Sequence, residues 1–155
     1  AKKSVYIHTP YFIPDEPIYT ALILAAKSGV DVRLVIPCKP DHPFVYWANH
    51  SYLGELLGAG VRGYTYNDGF IHSKASVFDG KVMTVGTANW DIRSFKLNFE
   101  TNAFVYDEAV CGRARDSYLN ELESNCTEIT YEMYKNRSVM VRIKESISRL
   151  MSPLL

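Results

Sequence analysis

Between Val30 and Tyr66 the chain leaves little slack. "VDVRLVIP" is a β-branched run stopped by Pro37, and "VRGYTY" is a second extended run. The segment between them opens at Asp41 or His42, runs through "FVYWANHSYLGELLGAG" and reads as one helix ending near Gly58 or Gly60. Two strands joined by such a helix pair in parallel, because the helix carries the chain back to the edge where the first strand began. Upstream, "KKSVYIH" and the helical run "IYTALILAAKSG", closed by Gly29, repeat the rhythm, with "TPYFIPDEPIY" placing three prolines between them. This alternation predicts an α/β fold with helices covering a sheet.

From residue 70 the rhythm changes. "IHSKASVF" and "KVMTVG" are separated only by Asp79-Gly80, a two-residue hairpin signal, so the sheet is expected to be mixed. "NFETNAFVYD" alternates as a further strand, with Asn98, Glu100 and Asn102 on one face and Phe99, Thr101, Ala103 and Val105 on the other. "EAVCGRARDSYLNELESN" reads as a helix with Ala109, Gly112, Ala114, Leu119 and Leu122 inward. In the tail, Val139, Ile143, Ile147, Leu150 and Met151 share one helical face, expected to dock on another part of the protein.

At 155 residues and 47% hydrophobic, the chain is expected to form a single domain over 1–155 with an amphipathic helix at 139–151. Its longest apolar stretches, such as "ALILAA", are too short to span a bilayer and no cleavable signal opens it, so the chain as given reads as soluble. Cys38, Cys111 and Cys126 stand far apart, which favours neither a disulfide framework nor a zinc site and fits a reducing compartment. Seventeen basic side chains balance seventeen acidic ones, arguing against a surface that tracks nucleic acid throughout. The balance is uneven, since residues 131–155 hold five bases against two acids, and any attraction to an anionic surface would come from there.

Alternate side chains of an extended segment share a face, so His72 and Lys74 are expected to project together from a strand. An imidazole beside an ammonium suits a phosphodiester: the cation offsets the anionic charge, and the imidazole attacks phosphorus or protonates a leaving oxygen. Thr87 and Asn89, again two apart, offer a hydroxyl and an amide to phosphate oxygens. Glu100 is a polar residue on a strand otherwise ready for burial, and a carboxylate there could fix the tautomer of a nearby histidine. Asp79 sits in the turn, where Asp-Gly is favoured for backbone reasons alone. Tyr11 and Phe12 lie in a Pro-bracketed loop after a strand, a common position for site residues and also for core aromatics. His8, His42 and His50 show no partner pattern, and Phe44, Tyr46, Trp47 and Tyr52 read as core and rim.

"HSKASVFD" fits H-x-K-x4-D, "GTAN" fits Gly-[Ser/Thr]-x-Asn, and Glu100 follows downstream; together these resemble the phospholipase D superfamily. "TPYFIPDE", "KPDHPFVYWA", "GVRGYTYNDGFIHSK" and "TANWDIRSFKLNFE" resemble the C-terminal half of bacterial cardiolipin synthases, almost end to end. The resemblance implies a phospholipase D-like mixed β-sheet flanked by α-helices on both faces, with the site at strand ends. It implies His72, Lys74, Asp79, Asn89 and Glu100 as catalytic residues, Thr87, Tyr11 and Phe12 as substrate-binding, and neither metal nor other cofactor. The implied reaction is phosphatidyl transfer between two phosphatidylglycerol molecules, giving cardiolipin and glycerol through a phosphohistidine.

Members of this family carry two H-x-K-x4-D motifs and N-terminal membrane helices. Here one motif and none of those helices occur, so the resemblance implies that the first half lies outside this chain. The missing motif would come from that half or from a second copy. The implied partners are phosphatidylglycerol, cardiolipin and the membrane surface, not nucleic acid, and the implied location is the cytoplasmic side of a bacterial cell membrane. Two other readings remain: a single-motif endonuclease or phosphodiesterase that dimerises to complete its site, and an isolated half that only binds and assembles.

Overall fold

The computed structural model describes residues 1–39 and 41–152. The chain runs β1 (Ser4–His8), β2 (Phe12–Ile13), α1 (Glu16–Lys27), β3 (Asp31–Pro37), α2 (Pro43–Gly58) and β4 (Arg62–Tyr66). Then follow β5 (Ala75–Phe78), β6 (Val82–Gly86), β7 (Trp90–Asp91), α3 (Ile92–Lys96), β8 (Asn102–Val105), α4 (Glu108–Asn125), β9 (Cys126–Ile129), α5 (Tyr131–Lys135) and α6 (Val139–Met151). The main sheet has the order β8-β6-β5-β1-β3-β4-β9. β1, β3 and β4 pair in parallel, as their helical crossovers require, while β5, β6, β8 and β9 are antiparallel to their neighbours.

Both faces of the central strands are covered, which explains their near-continuous hydrophobicity. Val5, Ile7, Val32, Leu34 and Ile36 point to the side packed by Leu22 of α1 and Leu53, Leu56 and Leu57 of α2. Tyr6, Val35 and Tyr64 point to the opposite side, where Tyr118 and Leu122 of α4 lie. Each such apolar side chain contributes about 1.5–3 kcal/mol when fully buried. The mixed sheet with helices on both faces is therefore as expected, and the Asp79-Gly80 turn has φ of 56° and 64°, the pair of positive values that a tight primed hairpin turn demands.

Several local expectations are corrected. β5 begins at Ala75, so His72 and Lys74 occupy an extended lead-in to the strand rather than the strand itself. β8 likewise begins at Asn102, leaving Glu100 in a loop and Phe99 wholly exposed. "TPYFIP" contains β2, which pairs in parallel with β7. On α4 the buried residues are Cys111, Tyr118 and Leu122, with Ala109 exposed. Val139, Ile143, Ile147 and Leu150 share one face of α6, and that face is exposed in this chain.

Candidate active site

The lead-in to β5 is fixed at both ends. Ile71 is buried against Tyr6, Val35, Tyr64 and Tyr118, and the Lys74 carbonyl accepts from Gly86 N–H at 3.2 Å, extending the hairpin ladder by one step. Between these anchors His72 is exposed, with the Phe70 ring 6.0 Å from its own. Lys74 Nζ lies 3.1 Å from His72 Nε2 and donates to the His72 carbonyl at 3.1 Å. An ammonium can only donate, so this contact keeps a lone pair on Nε2. Burial lowers the Lys74 pKa from its ordinary value, against the upward pull of Glu100 and Asp91.

Glu100 stands close enough to Lys74 to feel its charge. Hydrogen bonding from Thr87 holds the carboxylate below its usual range, burial opposes this, and Asn98 and Ser94 assist at 3.2 and 3.1 Å. Its bonds go to these neutral groups rather than to His72, so the expectation that Glu100 orients the imidazole is replaced by a link through Lys74. Ser94 is the junction: its hydroxyl donates to Glu100 while accepting from Asn89 N–H at 3.1 Å. Asn89 itself keeps a buried Oδ1 without a hydrogen-bond partner among the described residues. The result is a connected series, His72, Lys74, Glu100, Ser94 and Asn89.

The loop carrying Thr87 and Asn89 is held from two sides. Thr87 N–H donates to the Thr101 carbonyl at 3.0 Å, Thr101 N–H returns to the Thr87 hydroxyl at 2.9 Å, and Ala88 N–H reaches Asn102 Oδ1 at 3.2 Å. On the other side Trp90 N–H donates to the Thr9 hydroxyl at 3.1 Å, and buried Asn49 of α2 bonds both the Pro10 carbonyl and Phe12 N–H, at 2.9 and 2.8 Å. Asp91 caps α3 by accepting from Ser94 N–H at 2.7 Å, which sets the serine in place.

Two expected site residues lie elsewhere. Asp79 is at the far end of the hairpin, roughly 17 Å along the strand from Lys74 at about 3.3 Å per residue. Its carboxylate accepts from the backbone N–H groups of Lys2, Lys3 and Ser4 at 2.7–3.1 Å. Burial pushes its pKa up, but these three donors prevail and bring it down to about 2. Phe12 is wholly buried in the core, where it supports the loop from below.

Tyr11 does reach open space. It lines a cavity of about 350 Å³ with Ile13, His42, Phe44, Asp91 and Arg93, and burial, with its hydroxyl's bond to Asp41 second, pushes its pKa up to about 12. His8, by contrast, faces α4, pairing with Glu121 at 3.1 Å and packing on Tyr118. No group of three or more His, Cys, Asp or Glu side chains among the described residues is placed to hold a metal ion. Ser94, Asn49 and Asp91 were not singled out from the sequence. The one available signal was Asp91-x-x-Ser94, a capping spacing too short-ranged to stand out.

Residues 1–124 match the model of the family described as cardiolipin synthase, phospholipase D-like domain. The chain is 54% identical to cardiolipin synthase 1 of Staphylococcus aureus (strain COL) over 155 residues, which are 100% of this chain and 31% of that protein. It thus spans about a third of the length of the curated relatives it matches. Among solved structures, phosphatidylserine synthase of Haemophilus influenzae Rd KW20 superposes with a TM-score of 0.74 at 14% identity, over 99% of this chain and 40% of that one. Nuc from Salmonella typhimurium, a phospholipase D family member, gives 0.70 at 20% identity over 84% of each. At these identities the two structures bear on the fold alone.

Proposed function

The chain belongs to the family of cardiolipin synthase, phospholipase D-like domains, and on that premise we propose that it forms one half of a site that transfers phosphatidyl groups. The observation that carries the reading is the partly buried Lys74 ammonium 3.1 Å from the Nε2 of an exposed imidazole. A phosphodiester entering between them would trade the Lys74–His72 contact for one to a phosphate oxygen, with Asn89 and Thr87 completing the cradle and Glu100 holding the lysine.

The reaction proceeds in two displacements. One histidine attacks the phosphorus of phosphatidylglycerol and forms a P–N bond as the P–O bond to glycerol breaks; the other histidine protonates the departing glycerol oxygen. That second histidine then takes the proton of a hydroxyl on another phosphatidylglycerol, whose oxygen attacks phosphorus, forming cardiolipin and freeing the first imidazole. We assign His72 the acid/base part, Lys74 and Asn89 the phosphate oxygens, and Tyr11 a place in the adjoining headgroup cavity.

Two histidines are needed, and this site has one. The relatives are about three times as long, which leaves room for the other on the same polypeptide. The surface beside Glu100 suits an interface: Leu97 and Phe99 are 71 and 107% exposed. The proposed location is the membrane surface, although no described helix is long and apolar enough to cross a bilayer. The test is His72→Ala in the longer protein, supplied with phosphatidylglycerol vesicles and, separately, DNA. Cardiolipin formation should disappear in the variant; near-normal output, or DNA cleavage without any lipid product from the unaltered protein, would overturn the assignment.

A further inference from the structure

Helix α6 docks by the wrong side for an ordinary amphipathic helix. Val139, Met140, Ile143, Ile147 and Leu150 fall within an arc of about 100°. They are 70, 62, 48, 49 and 83% exposed. The side turned to α2 carries Glu145, Ser148 and Ser152, which are 3, 1 and 4% exposed. Directional bonds hold it there. Arg137 Nε donates to Glu145 at 2.6 Å, the Ser152 and Tyr52 hydroxyls meet at 2.9 Å, and Arg149 donates to Glu55 at 2.7 Å. The polar side is thus consumed in docking and the apolar stripe is left outward.

Cations flank the stripe on both edges. Lys144 lies over the Trp47 ring at 5.1 Å, and Arg142, on the other edge, donates to the Lys135 carbonyl. The two acids of the segment, Glu132 and Glu145, pair with Lys135 and Arg137. One helical turn before Trp47 stands Phe44, 49% exposed, which also lines the cavity shared with Tyr11 and Arg93.

We propose that α6 lies in the plane of a bilayer containing anionic phospholipid, with the stripe in the acyl boundary and Arg142 and Lys144 at the phosphates. An apolar stripe edged by cations is the pattern of a helix that rests on such a surface, and thirteen residues are too few to cross it. Helix α6 packs on α2, while the exposed Leu97 and Phe99 flank the Asn98–Glu100 segment of the site. The choice of phospholipid over other anionic surfaces rests on the proposed phosphatidyl transfer.

Co-sedimentation of this chain with phosphatidylcholine vesicles of increasing phosphatidylglycerol content tests the contact. Binding should rise with phosphatidylglycerol and fall with salt. Ile143→Ser/Ile147→Ser/Leu150→Ser should weaken it by about tenfold or more, with circular dichroism and melting temperature unchanged because these side chains face outward. Arg142→Gln/Lys144→Gln should weaken it by about fivefold per cation at low salt. His72→Ala should bind like the unaltered chain, so failure of the reaction and failure of the surface contact give different results. Unaltered binding by the triple serine variant overturns the proposal, as does a chain that ignores the vesicles. A dimer that the triple variant converts to monomer also overturns it, assigning the stripe to a second copy.

Discussion

At the turn of the β5–β6 hairpin, the Asp79 carboxylate accepts from three backbone N–H groups and its pKa falls to about 2. At the open end of the same hairpin, Lys74 is partly desolvated with its pKa lowered, His72 is exposed, and Asn89 Oδ1 is buried without a hydrogen-bond partner among the described residues. The first charge is saturated by its own fold, which is how a structural carboxylate is treated. The second set holds an exposed imidazole and a partly desolvated ammonium that an anion could engage, while Asn89 Oδ1, an acceptor, calls for a donor. On the proposed reading H-x-K-x4-D spans two tasks: its histidine and lysine would meet the substrate, while its aspartate ties the hairpin turn to residues 2–4.

The largest expected effect that separates the ends is on turnover. His72→Ala in the longer protein should reduce cardiolipin formation by about 10³-fold or more while leaving the thermal midpoint of this chain unchanged. Lys74→Gln comes next, with a loss of about 10²-fold and a stability equal to or slightly above the original, since folding already disfavours the charged lysine. If either substitution unfolds the chain, the open end is structural after all.

Asp79→Asn should do the reverse, because asparagine keeps the positive-φ turn and removes only the charge. It should cost about 1–2 kcal/mol in chemical denaturation near neutral pH and leave turnover per folded molecule intact. The carboxylate has a folded pKa below its unfolded one, so its stabilisation is full above the unfolded value and fades as pH falls toward about 2. The gap between original and variant should therefore close between about pH 4 and 2, and a gap constant with pH breaks the comparison. Smallest is Ser94→Ala, which removes the hydroxyl between Asn89 and Glu100: about 1 kcal/mol of stability, with a loss of activity too small to rival that at His72.

The central architecture was legible because each element there is long enough to carry its own period. β1, β3 and β4 with their helices, and the Asp-Gly hairpin, are written in local sequence. β2 and β7, of two residues each, exist because Asn49 and Thr9 bring two loops together, and no local pattern announces them. The same holds at the site. His72, Lys74, Thr87, Asn89 and Glu100 could be picked out as a pattern, but Ser94, which joins two of them, could not. The apolar period of α6 was readable; its direction was not, because Glu145 and Ser148 become the buried face only once Arg137 and α2 are in place.

Asn49 fastens the Pro10–Phe12 loop to α2 through two buried hydrogen bonds, and Thr9 fastens Trp90 to that loop. Loops are usually the first parts of a protein to exchange their amide hydrogens. Here the Phe12 amide can be released only when α2 loosens, so its protection should follow that of the helix core around Leu53 and Leu56 rather than that of the surface. The segment that supports the Thr87–Asn89 loop would then melt with the hydrophobic centre, giving a candidate site whose backbone has no independent unfolding transition.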